Sequence, residues 1–261
     1  MSIGDAEIKT QERVIRFFKD PEILGYQYIG NLSDYQNKNI KEDRLRQYLR
    51  LKGYADKLID AAIMQLQQEA GNLSRGVYDA NKTVYSRLKY GIPVSESPEK
   101  PPVTVQLVDE EKPLNNDFAI AEEVTVVEQS EKRPDLVVYL NGIAVAVIEL
   151  KRSSISVSEG IRQNLTNQKN SFIQSFFTTM QFCMAGNESE GLRYGTLLTG
   201  EKFYMEWKDD GFKEHEEERD PVDVRISKTC EGIENKLLKQ IYAMFDKERF
   251  IDLIMNFVVF D

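Results

Sequence analysis

Apolar positions recur at helical spacing in the first third of the chain, then alternate or run together, and return to helical spacing at the end. Ile8, Val14, Ile15, Phe17 and Phe18 form a rough helical stripe over residues 7–19, with Pro21 close behind to end it. Residues 40–52 turn Leu45, Tyr48 and Leu49 inward, and residues 55–70 do the same with Leu58, Ile59, Ala62, Ile63 and Leu66. Residues 77–89 read as a further helix. LGYQYIGNLSD (24–34) is aromatic and punctuated by glycine, which suits a loop or short strand. The four prolines of GIPVSESPEKPP (91–102) mark a linker-like stretch or a long surface loop.

Beyond that stretch the period shortens. VTVQLV (103–108) alternates as a strand does, and AIAEEVTVV (119–127) forms the centre of a second. Glu122 and Glu123 are adjacent there, so one is expected on each face, both as surface charges. Leu136–Leu140 and Ile143–Leu150 flank Asn141-Gly142, a strong hairpin signal. Both hairpin strands are apolar on both faces, which implies a sheet covered on both sides. Residues 157–182 read as helix, with Ser158 as an incomplete cap. Residues 192–199 and 202–207 read as a second hairpin around Gly200-Glu201, residues 209–220 as an acidic loop, and 230–245 and 247–260 as amphipathic helices. The class is α/β: a central mixed β-sheet flanked by helices. The organisation is a helical N-terminal part (1–100), a core (101–215) and a helical connector (216–261).

Composition narrows the function classes. A chain of 261 residues suits one core with helical additions. No apolar run is long enough to cross a bilayer, and no N-terminal signal precedes the first helix. Two cysteines, Cys183 and Cys230, make neither a disulfide framework nor a zinc spacing, which fits the cytoplasm. The single His215 leaves no His-rich metal site and disfavours a His-based triad. A net charge of −9 counts against a stand-alone DNA-binding domain. The charge is uneven, however. DDGFKEHEEERD (209–220) is acidic, while Lys82, Arg87 and Lys89, and then Lys151, Arg152, Arg162 and Lys169, are basic groups that read as solvated faces. Neither G-x-x-x-x-G-K-[ST] nor G-x-G-x-x-G occurs, so no nucleotide-binding loop of those kinds is present.

The central hairpin carries candidate chemistry. Asp135 begins its first strand, and Glu149 and Lys151 end its second, two apart and so on one face. Register decides whether Asp135 joins them. A plain two-residue turn pairs Asp135 with Ile148 and sends it to the other face. A three-residue loop with Gly142 in the left-handed region, or a bulge elsewhere, pairs it one place differently and gathers all three. An odd offset is therefore expected. Two carboxylates beside an ammonium suit Mg²⁺ and a phosphate. On spacing alone the commoner arrangement is a set of strand-end ion pairs that includes Arg133.

RPDLVVYLNGIAVAVIELKRS (133–153) resembles the P-D…(D/E)-x-K nuclease superfamily. It is similar to the N-terminal nuclease region of the motor-and-cleavage (R) subunit of type I restriction endonucleases. LGYQYIGNLSD, NKTVYSRLKYGIPV (81–94), PLNNDFAIAEEVTV (113–126), IRQNLTNQ (161–168), SFF and AGN (185–187) agree, and the likeness runs from about residue 7 to residue 208. It implies a restriction-endonuclease-like core and Mg²⁺-dependent hydrolysis of duplex DNA within an ATP-dependent translocating complex. Methyltransferase (M) and specificity (S) subunits would be partners, as would a motor domain of the same polypeptide, which would use the ATP. The end at FVVFD resembles a cut upstream of that motor.

The resemblance also assigns roles. Asp135 and Glu149 would ligate metal, with the carbonyl of Leu150, and Lys151 would orient water or stabilise charge on the phosphate. Relatives carry a Gln-x-x-x-Tyr element on the next helix. Here it reads Gln168 to Phe172, without the tyrosine hydroxyl, which makes Gln168 the candidate, Gln163 a weaker one and Phe172 packing. An early helix supplies a metal-facing Glu in some relatives. Glu7 and Glu12 lie on such a helix but read as exposed, and no role is assigned to them. Two other functions remain open: a free-standing nuclease of the superfamily, and a docking module with a vestigial triplet.

Overall fold

The computed structural model describes residues 3–34, 36–95, 99, 101–208 and 220–260. In chain order the elements are α1 (Ile3–Lys19), β1 (Gln27–Asn31), α2 (Glu42–Leu51), α3 (Asp56–Gly71), α4 (Val77–Tyr90), β2 (Ile92–Val94), β3 (Val103–Val105), β4 (Phe118–Glu122), β5 (Val126–Val127), β6 (Glu131–Lys132), β7 (Leu136–Leu140), β8 (Ile143–Leu150), α5 (Val157–Asn167), β9 (Phe182–Asn187), β10 (Gly191–Gly195), α6 (Pro221–Glu231), α7 (Lys236–Phe245) and α8 (Lys247–Asp252). Six strands form the central sheet in the order β1-β4-β7-β8-β9-β10. β1 runs parallel to β4 and β8 parallel to β9, while the other pairs are antiparallel. The sheet is mixed and flanked by helices, as the sequence pattern implies.

Every residue of β7, β8 and β9 is buried, so helices and turns cover both faces. On one face Phe18, Leu45, Ile59 and Leu88 of the N-terminal helices meet Ile120, Val138 and Ile148 of the sheet and Phe245 and Phe250 of the C-terminal helices. On the other, Ala121, Val137, Tyr139 and Val147 pack under Phe176 and Phe177. No helix among the described residues is long and apolar enough to cross a membrane.

Several boundaries differ from the sequence pattern. The 24–34 stretch supplies β1, an edge strand of the sheet. The proline-rich stretch contains β2 near its start and is followed by β3, and the two strands pair as an antiparallel ribbon. The helix expected over 157–182 stops at Asn167, and a 3-10 turn, Gln174–Thr179, follows. A helix over the whole span would run about 39 Å, roughly twice the length of the six-residue strand it must return to. Ser156, not Ser158, caps α5, its side chain accepting from the Ser158 N–H. The second hairpin is β9 and β10, whereas 192–199 and 202–207 share one bridge, Tyr194 with Met205. α7 and α8, capped by Asn235 and Asp246, fall within the two helices expected over 230–245 and 247–260, and α6 precedes them where no helix was expected. Apart from Asp220, the acidic stretch 209–220 lies outside the described residues.

Candidate active site

Asn141 (φ 52°) and Gly142 (φ 82°) both take left-handed backbone and close a two-residue turn that pairs Leu140 with Ile143. A Cβ on Gly142 would lie 2.7 Å from the Leu45 nitrogen and the Lys41 carbonyl oxygen, because the start of α2 rests on the turn. The three-residue loop is therefore absent, yet the odd offset is present. Tyr139 pairs with Ala144 but Val138 pairs with Ala146, which leaves Val145 as a bulge. The Val145 carbonyl accepts the Gln181 N–H, immediately before the parallel pairing of β8 with β9 begins. Below the bulge Leu136 pairs with Ile148, and the next step sets Asp135 opposite Glu149.

The charges converge at that end. Asp135 Oδ2 accepts the Leu150 N–H at 2.7 Å. Lys151 Nζ donates to the Leu150 carbonyl at 3.0 Å, and lies 4.0 Å from Asp135 Oδ2 and 3.2 Å from Glu7 Oε1. Glu149 is fully buried. Its Oε2 accepts from Gln163 Nε2 at 2.6 Å, and its Oε1 is buried without a hydrogen-bond partner among the described residues. Gly160 lets α5 come this close: a Cβ there would be 2.9 Å from Ala185 Cβ and 3.4 Å from Glu149 Cβ.

Burial dominates the electrostatics. It raises Asp135 from its ordinary 3.8 to about 6, although Lys151 and the Leu150 N–H pull the other way. Burial, and then the neighbouring Asp135 carboxylate, push Glu149 well above the ordinary carboxylate range. Burial works against the Lys151 ammonium, but Asp135, Glu149 and Glu7 together outweigh it and hold Lys151 above the usual lysine range.

The hairpin thus brings Asp135, Glu149 and Lys151 together, and leaves Gln168 elsewhere. The Gln168 Oε1 accepts the Leu198 N–H at 2.7 Å and its amide faces Cys183 Sγ at 3.5 Å, so the side chain is spent holding a loop on the buried face of α5. Gln163, five residues earlier, reaches Glu149 in its place. Gln163 lies mid-helix, near where Gly160 brings α5 against Glu149, whereas Gln168 caps the C-terminal end of α5. Glu7 is not a plain surface residue, since it pairs with Lys151, whereas Glu12 is exposed. Glu122 and Glu123 do not face opposite sides. Left-handed backbone at Glu123 (φ 51°) turns both toward Gln11 Nε2, 3.1 Å from an oxygen of each. Nothing in the local sequence signals that distortion, for glutamate has no preference for it.

Among the described residues, no three His, Cys, Asp or Glu side chains form a ready-made metal cage. Two carboxylates and a main-chain carbonyl are nonetheless the donor type Mg²⁺ takes when water and phosphate complete its octahedron. The unpartnered, buried Glu149 Oε1 fits a cation.

A protein of Methanocaldococcus jannaschii, provisionally named type I restriction enzyme MjaIXP endonuclease subunit, is 26% identical over 201 residues. The aligned part covers 69% of this chain and 18% of that protein, so the chain spans only a small share of its relative's length. A sequence profile for the type I restriction enzyme R protein N terminus matches residues 7–203, which include most of α1, the bulged hairpin and α5. The chain belongs to the family of type I restriction enzyme R protein N-terminal regions.

Proposed function

We propose that this chain is the DNA-cleaving module of a type I restriction R subunit, hydrolysing phosphodiester bonds of duplex DNA with Mg²⁺. In this reading it acts in the cytoplasm, beside a motor domain and with M and S subunits as partners. The observation that carries the reading is the bulge at Val145, which sets Asp135 against Glu149 beside Lys151 and leaves one carboxylate oxygen of Glu149 without a partner.

Asp135, Glu149 and the Leu150 carbonyl would hold the cation. Bound Mg²⁺ would neutralise charge on the scissile phosphate and acidify a coordinated water. Gln163 fixes the Glu149 carboxylate through Oε2 and so leaves Oε1 available to a cation. Lys151, kept charged by three carboxylates, donates to the attacking water or to the phosphoryl oxygens as negative charge grows there. Its hydrogen bond to the Leu150 carbonyl sets its position before substrate arrives. Gln168 has no part in this scheme.

Isothermal titration with Mn²⁺ tests the reading. The chain should bind the ion, and Asp135→Ala should abolish binding. No binding at millimolar Mn²⁺ would instead favour a docking module with a vestigial site.

A further inference from the structure

Glu123 is one of only three residues other than glycine at positive φ among those described, and the distortion has a definite result. It ends β4 and brings the Glu123 side chain back beside Glu122, where Gln11 holds both carboxylates. The Glu123 N–H donates to the Asp135 carbonyl at 2.9 Å, which ties this residue to the start of β7. Its Oε2 faces Arg133 Nε at 2.8 Å. A glutamate in costly backbone, clamped by a glutamine, thus fixes a guanidinium two residues before Asp135. Arg133 keeps 55% of its side chain exposed.

The charge balance gives that guanidinium a use. Glu7 and Asp135 flank Lys151, which is mostly buried and already donates to Glu7 and to the Leu150 carbonyl. A phosphate approaching this rim meets carboxylates before it meets Lys151. Arg133 is an exposed cation at the same rim, and with Nε turned to Glu123 its terminal nitrogens form a planar fork suited to phosphate oxygens. We propose that Arg133 is a phosphate-docking residue for the DNA backbone entering the site, and that Glu123 and Gln11 are its positioning residues. The contact is independent of base sequence. The inference rests on the nuclease reading and adds to it a substrate contact outside the Asp135, Glu149 and Lys151 set.

Fluorescence anisotropy of a short labelled duplex, titrated with the chain across a low-salt series, tests it. Arg50 supplies a matched control. Its Nε faces Asp56 at the same 2.8 Å and its side chain is 56% exposed, but it sits on α2, which packs against the turn at the far end of the hairpin. Arg133→Ala should weaken duplex binding several-fold and flatten the dependence of log affinity on log salt by about one. Arg133→Lys should keep the salt dependence and recover only part of the affinity, and Arg50→Ala should leave both near the parent. Equal salt dependence for Arg133→Ala and the parent would overturn the assignment, and so would no measurable duplex binding by the parent at the lowest salt. Mn²⁺ titration of Arg133→Ala should match the parent, and lost Mn²⁺ binding would make Arg133 a support of the metal site instead. Failure of the nuclease reading itself shows separately, in the Mn²⁺ titration of Asp135→Ala.

Discussion

Burial, more than any neighbour, sets the behaviour of Asp135 and Glu149, and this has a thermodynamic signature. Asp135 is raised to about 6 in the folded chain, so between pH 4 and 6 the folded state binds more protons than the unfolded one. Its contribution to stability is therefore complete below about pH 4 and is lost as pH rises through about 6, with Glu149 extending the loss further upward. Asp135→Asn, which cannot ionise, should be more stable than the parent at pH 7.5 by about 1–3 kcal/mol, with the gain fading toward pH 4. Calorimetric unfolding across that range checks it, and a gain of equal size at both ends would contradict the raised carboxyl. Lys151→Ala should act in the opposite sense. Removing the ammonium leaves two buried carboxylates uncompensated, so the loss should reach about 1–3 kcal/mol at pH 8 and shrink at pH 5, where the carboxylates are protonated. A loss independent of pH would show that the aliphatic stem, not the charge, matters. That these three residues form a set was legible from their spacing and the hairpin. That burial would govern their chemistry was not, because it depends on α1, which lies far away in sequence, and on how closely α5 packs at Gly160.

The hairpin is where sequence reasoning and long-range structure meet most closely. Parity alone demanded an odd offset if Asp135 was to face Glu149, and the offset is there. Its position at Val145 could not be read, because valine has no bulge signature and the cause lies outside the hairpin. The Val145 carbonyl is taken by Gln181, a residue that arrives only after α5 and a 3-10 turn. Gln168 ranks ahead of Gln163 in the sequence because the Gln-x-x-x-Tyr spacing falls there, whereas the close approach of α5 at Gly160 puts Gln163 beside Glu149. The turn itself is fully local in origin but tertiary in consequence. At Gly142 a side chain would meet strained backbone at φ 82° and main-chain atoms of α2 at 2.7 Å. Gly142→Ala should therefore destabilise the chain by at least about 2 kcal/mol, the combined cost of left-handed alanine and overpacking. Denaturant unfolding measures this, and a loss below half of that would mean that α2 moves aside freely.

Across the molecule, net charge and the carboxylate partners of the site's cations make the proposed nuclease one that depends on its surroundings. The chain carries −9, so at long range it repels duplex DNA, and the local cations at the site, Lys151 and Arg133, are both engaged with carboxylates. Its sequence holds no nucleotide-binding loop of the common kinds and nothing that resembles a base-reading module, so the chain by itself has no evident means of bringing a chosen phosphate to Asp135 and Glu149. Positioning supplies a large part of a hydrolytic rate, and a loosely held backbone forfeits it. The 261-residue chain alone should therefore bind duplex weakly at low salt and cleave supercoiled or linear DNA slowly or not at all in Mg²⁺ or Mn²⁺, even with the proposed metal ligands intact. Incubating both DNA forms with the chain, beside Glu149→Gln as a control for contaminating nuclease, provides the measurement. Rapid degradation that Glu149→Gln abolishes would reject dependence on partners and establish the chain as a self-sufficient nuclease of the same superfamily. Equal slow degradation by both proteins would mark the activity as foreign and leave the dependent module standing.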